Sequence, residues 1–175
     1  MTEILSKGVL RSTTVMFLFV WFAGIWMGGC ETQEQKVEKL IKQLQDDVEI
    51  RHYAIWELVE IGKDAVPFLI QALQDADSGV CVNVTTALGW IGEGAISAVP
   101  TLIQLLQDKN AGSDVRANVA TALGWIGEGA QDTVPSLIQA LQDQDAGVCQ
   151  GVVEALENID TPEALKAVEE YESRQ

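Results

Sequence analysis

The sequence predicts an all-α fold: a short α-solenoid of about four helix-hairpin repeats closed by a C-terminal capping helix. Three observations carry this. Four segments align, "VEKLIKQLQD" from Val37, "VPFLIQALQD" from Val66, "VPTLIQLLQD" from Val99 and "VPSLIQALQD" from Val134, at spacings of 29, 33 and 35 residues. Each is followed by a second stretch with an apolar period of 3.6, the mark of one buried helix face. No long linker or low-complexity tract interrupts residues 37–171. A fixed period of this length is the signature of stacked supersecondary units.

Residues 1–29 read as a signal peptide. Lys7 and Arg11 precede the apolar run "TTVMFLFVWFAGIWMGG", which ends in small residues before Cys30. Positive charge, an apolar stretch and small residues, in that order, mark an export signal. The run is a little short for a spanning helix of about 20 residues. Its ending, "WMGGC", resembles the lipobox of bacterial lipoproteins, with Gly29 before the cut and Cys30 as lipid acceptor; Met27 and Gly28 depart from the usual residues there. The alternative is an uncleaved N-terminal membrane anchor. Residues 30–36 are then the lipidated cysteine and a tether. Either way the chain is expected to be exported and held at a membrane, on its periplasmic or cell-surface side.

The solenoid spans 37–175, with repeats near 37–65, 66–98, 99–133 and 134–160. In the first helix of a repeat, helix A, Pro67, Pro100 and Pro135 suit position N1, where proline lacks only a donor that is unpaired anyway. Leu69, Ile70 and Leu73, with Leu102, Ile103 and Leu106, supply its stripe. Helix B follows. Val80, Val84, Ala87, Leu88 and Ile91 share one face, as do Val115, Val119, Ala122, Leu123 and Ile126, and Val148, Val152, Ala155, Leu156 and Ile159. The first copy runs Ile50, Ala54, Leu58 and Ile61, with Glu57 in place of alanine. The glycines after Ile61, Ile91 and Ile126 stop the helix. Residues 161–174 form the capping helix, with Thr161 as cap, Pro162 at the first helical position and Glu163 at the positive helix end.

Paired helices with a period near 33, "D-x-D-x-x-V" between them and "ALGxIG" at the close, resemble HEAT repeats, and in particular the PBS-lyase HEAT-like class. The resemblance implies a fold more strongly than an activity. That class includes bilin lyases, deoxyhypusine hydroxylases and scaffolds without chemistry, so it implies an accessory bilin lyase or chromophore chaperone as the alternative function. Bilin attachment in that family is intracellular, which the export signal opposes. The hydroxylases hold two irons with paired His-Glu motifs, whereas this chain has one histidine, His52, read as a partly exposed helix residue.

Composition excludes other classes. The net charge is −15, from 26 acidic and 11 basic residues. Without Glu3, Lys7 and Arg11, the mature part keeps 25 acidic and 9 basic residues. Such a surface repels nucleic acid, whose affinity comes largely from Lys and Arg, and does not adhere to anionic lipid through charge. The loops "DADSG" and "DQDAG" open like a calcium loop, but counted from Asp75 the glycine falls at position 5 instead of 6 and position 12 is Thr86, not a bidentate Glu; their aspartates serve helix ends and turns. Cys81 and Cys149, equivalent to Arg51 and Arg116, sit among aspartates and read as inert thiols packed on a flank. No catalytic residue, metal ligand or cofactor site is expected.

One feature points outward. "LGWIGEGA" occurs twice, and at about 100° per residue its Trp90 and Trp125 lie off the core stripe. The matching end-repeat residues are Glu60 and Asn158, both polar. Either the tryptophans form a protein-binding patch, or each covers the edge of the next repeat's helix A. The favoured function is a membrane-tethered, non-catalytic binding scaffold whose partner is a protein with a basic or amphipathic surface.

Overall fold

The computed structural model of the chain describes residues 31–75 and 78–174. Residues 1–29 and Cys30 lie outside them, as do the side chains of residues 75–78. Residues 1–35 and 36–175 form two separate units. The described part of the first is small. Thr32 caps a helix by accepting from the Gln35 N–H (3.3 Å), and the Gln35 side chain accepts in return from the Thr32 N–H (3.1 Å). This reciprocal capping box starts α1 (Gln33–Gln43), so part of the stretch 30–36 is helical.

The second unit is all helix. A helices α1, α3 (Val66–Asp75), α5 (Val99–Gln107) and α7 (Val134–Ala140) alternate with B helices α2 (Val48–Ile61), α4 (Ser78–Ile91), α6 (Ser113–Ile126) and α8 (Ala146–Ile159), and α9 (Pro162–Glu172) ends the stack. No strand occurs among the described residues. The short solenoid is therefore observed. The first three B helices close on a glycine with positive φ, Gly62, Gly92 and Gly127, at 67°, 65° and 70°, and α8 closes on Asp160 at 54°. A side chain is disfavoured in that backbone region. The glycine opens a 3₁₀ turn that leads into the next A helix. Pro67, Pro100 and Pro135 sit second in their helices, one place later than expected, where the missing N–H is still one that has no helical partner. Thr161 caps α9 by accepting from the Ala164 N–H at 3.2 Å.

The core follows the predicted stripe in the last two repeats. All five stripe residues of α6 and all five of α8 are buried. In the first repeat the register differs. Ile50, expected in the core, is 41% exposed, and Ile55 is buried instead. The equivalent Val80 lies beside Leu44 and Arg51 of the preceding repeat, and Ile50 has no preceding repeat to meet. Ile61 and Ile91 are only half-buried. Glu57 takes a buried alanine's place because α1 and α2 supply partners. Lys36 Nζ lies 2.6 Å from its Oε2, and this contact with the Tyr53 hydroxyl holds its carboxyl below the usual range.

Consecutive B helices approach closely where their sequences are small. A Cβ on Gly89 would sit 3.1 Å from Ala122 Cα, and one on Gly124 only 2.7 Å from Ala155 Cα. α6 packs most extensively against α4 and α8, while α2 touches α4 less. Val59 stands in α2 where α4 and α6 have those glycines. Replacing Gly124 by alanine is therefore expected to force α6 and α8 apart, at a cost of about 1–3 kcal/mol. Urea denaturation checks this against Glu157→Ala on the exposed side of α8, expected within about 0.5 kcal/mol of wild type. Equal midpoints for the two variants would exclude the close approach.

Candidate functional site

Trp90 on α4 and Trp125 on α6 each follow one of the contact glycines. The backbone spacing that brings the two helices together therefore also brings the two rings together. Their centroids are 6.4 Å apart with planes tilted by 43°, inside the range of attractive aromatic pairs. Neither ring is core: Trp90 is 47% exposed and Trp125 43%. Trp125 also leans on its neighbour, since its Cε3 lies 2.7 Å from where a Gly89 Cβ would be. Glycine at position 89 is what lets the indole come this close to α4. Glu60 and Asn158, at the matching places in the end repeats, are exposed.

A third tryptophan escaped the sequence reading. Trp56 on α2 is 61% exposed and Tyr53, one turn before it, 59%. Trp56 occupies the position of Thr86 and Thr121, one turn before that of Trp90, so a comparison confined to Trp90's equivalents passes over it. The signal was there in Glu49, Tyr53, Trp56 and Glu60, a face of α2 with no apolar stripe behind it. Between α2 and α4, where the helices stand further apart, runs an open groove of about 580 Å³ lined in part by Arg51, His52, Asn83, Thr86, Trp90 and Asp114. The single histidine is exposed and stands in this groove. The groove's polar groups are partly engaged. Asn83 Nδ2 donates to the Leu44 carbonyl (3.0 Å), and Asn118 Nδ2 donates to the Val82 carbonyl (2.7 Å) and the Thr86 hydroxyl (3.0 Å).

The position shared by Arg51, Cys81, Arg116 and Cys149 is structural in the repeats whose contacts are described. Cys149 Sγ donates toward the Leu141 and Asp143 carbonyls, at 3.5 and 3.3 Å, and Cys81 Sγ toward the Leu73 carbonyl at 3.9 Å. Arg116 does the same for the Ala111 carbonyl. These groups satisfy carbonyls at and just beyond the ends of the A helices, which have no helical partner. Arg116 also grips Asp143 of the next repeat through Nε and Nη2, both at 3.0 Å. The guanidinium's hydrogen bonds hold the Asp143 carboxyl below its ordinary value of 3.8, against the opposing effect of burial. Asp145 accepts from the Gly147 and Val148 N–H groups, at 2.9 and 3.3 Å. The aspartates of this loop are thus occupied with helix ends. Among the described residues no three His, Cys, Asp or Glu side chains gather as a metal site, and none of the described helices is long and apolar enough to cross a membrane.

The HEAT-repeat family matches residues 37–113 and 111–173. The match covers well over half of the chain, which therefore belongs to the HEAT-repeat family. Among solved structures it is similar to the CpcE–CpcF complex of phycocyanin lyase from Nostoc sp. PCC7120, at 18% identity and a TM-score of 0.68, covering 79% of this chain and 86% of that one. It is similar to an engineered protein at 28% identity and a TM-score of 0.50, over 78% of this chain and 68% of that one. Human deoxyhypusine hydroxylase in complex with glycerol is also similar, at 23% identity and a TM-score of 0.55. This chain is covered to 81% there, but that one only to 46%. The likenesses to the lyase and the hydroxylase concern the fold alone. No curated protein matches the chain.

Half-exposed rings contribute about half of what core rings do. Trp90→Ala and Trp125→Ala are each expected to lower stability by about 1–2 kcal/mol, against the about 3–5 kcal/mol typical of a buried tryptophan. The double variant is expected to lose less than the sum, because either change alone removes the ring–ring contact. Thermal unfolding of the three variants measures this. A loss in the core range for each single variant would make the pair a seal between repeats.

Proposed function

We propose that the chain is a membrane-tethered, non-catalytic scaffold that binds a protein through the Trp90–Trp125 pair. The exposed ring pair carries this reading. Tryptophan is enriched where binding energy concentrates, and polar surroundings help to exclude water from such a centre. Glu60 and Asn158 border the pair in the repeat order, and Glu93 and Glu128 follow three residues after each ring, beyond the helix ends, all exposed. The acidity of the chain and its exposed aromatic faces favour a partner with lysine or arginine, which can pair with acids and stack on rings. The occupied state of both buried thiols and the aspartate loop supports a role without chemistry.

Two experiments test the two halves of the reading. In a pull-down from membrane extract, the wild-type chain is expected to retain a protein partner that Trp90→Ala/Trp125→Ala loses while keeping its helical circular dichroism. Retention of that partner by the double variant would remove the patch, and a bound pigment would favour a chromophore-handling role instead. For the tether, Cys30 is expected to be acylated at a mature N-terminus. Mass spectrometry that finds residues 1–29 intact on the membrane-bound protein would replace the lipid by an N-terminal anchor.

A further inference from the structure

The two ends of the solenoid are finished differently. Terminal repeats of a solenoid need a polar outer face, since one side of them has no neighbour. The C-terminal end has one: α9 exposes Glu163, Lys166, Glu169 and Glu170, with Leu165 its one large exposed apolar residue. The N-terminal repeat does not. Val48, Ile50, Tyr53 and Trp56 of α2 make up half of the large apolar side chains exposed among the described residues. The same repeat differs in charge. Lys36, Lys39, Lys42, Arg51 and Lys63 are five of the nine basic residues that follow Cys30, set against nine acidic residues in 31–65, a milder excess than in the rest of the solenoid. The lysines of α1 recur every three residues and are exposed. Lys36, Glu57 and Tyr53 are linked, which places part of the lysine row beside the aromatic face.

We infer that this first repeat rests on the lipid bilayer, with Tyr53 and Trp56 at the headgroup level and the lysines of α1 facing lipid phosphates. The inference rests on the membrane-tethering reading of residues 1–30 and adds to it an orientation. Tryptophan and tyrosine favour the membrane–water interface because one end of the ring system is apolar and the other polar. Lysine extends its charge to the headgroups while its stem lies on apolar surface. Chain connectivity fits. Only Glu31 and Thr32 separate Cys30 from α1, and two extended residues reach about 7 Å. The first repeat thus leaves the membrane with almost no slack. The remaining repeats hold four basic residues against sixteen acidic ones, and α4 and α6, which carry Trp90 and Trp125, hold no lysine. The contact is made by rings more than by charge, so zwitterionic lipid suffices and the net acidity of the chain is no obstacle.

The test uses the full chain carrying Trp21→Phe and Trp26→Phe as its reference, in vesicles of dibrominated phosphatidylcholine, whose bromines quench tryptophans that reach the acyl boundary. Trp56→Phe is expected to lose part of the quenching seen in this reference, while Trp90→Phe and Trp125→Phe keep it in full. Phenylalanine retains the apolar body, so the fold is not at stake. Quenching unchanged in Trp56→Phe, with the chain still on the vesicles, overturns the docking and leaves the tether standing. Unquenched Trp56 that is also shielded from aqueous acrylamide in a chain that sediments as a dimer assigns the face to a second copy. Chain that does not stay with the vesicles removes the tether and this inference together.

Discussion

Everything in the solenoid depends on how near one B helix can come to the next. Interaxial distance is set by the side chains at the contact, and along α4, α6 and α8 those are hydrogen or methyl. Gly89 meets Ala122, Gly124 meets Ala155, and Gly151 lies against the Ala117 carbonyl, where an added Cβ would be 2.9 Å from the oxygen. Close approach buries the Val, Ala and Leu stripe on the other side of each helix without gaps. It also fixes what the outward side can hold. An indole one residue after the glycine is carried over the backbone of the helix before it, and two such indoles in successive repeats must touch.

Where the glycine is missing, the architecture changes. α2, with Val59 in that place, touches α4 less, and the groove lined by Arg51, His52 and Trp90 lies there. The first repeat also lacks a preceding layer, which exposes Ile50. The first repeat thus differs from the others both in the residue at this contact and in having no layer before it. The acidic character of the chain is spread over surfaces that do not share in this packing. Several of its carboxylates, Asp143 and Asp145 among them, are tied to helix ends or to Arg116 and serve the fold rather than a ligand.

Much of this was legible from residues alone. The repeat, its A and B helices, the stripe of α6 and α8, the glycine stops and the cap at Thr161 follow from periodicity and from backbone chemistry, which act over four residues or fewer. Local rules were less informative at the first repeat. Ile50 has the spacing of a core residue and no neighbour to bury it. The helix at Gln33 begins inside a stretch that reads as a polar tether, although the "TQEQ" that holds its capping box was in plain view.

The sequence by itself determined the fold class and marked Trp90 and Trp125 as lying off the core stripe, because helical angle is a property of one helix. It did not reveal Trp56, the groove beside α2 or the shared duty of Cys81, Arg116 and Cys149 in satisfying carbonyls at the ends of the A helices. Those depend on distances between helices from different repeats. Only the tertiary structure decided them, because a side chain's exposure is set by the layer beside it and not by its own position in the turn.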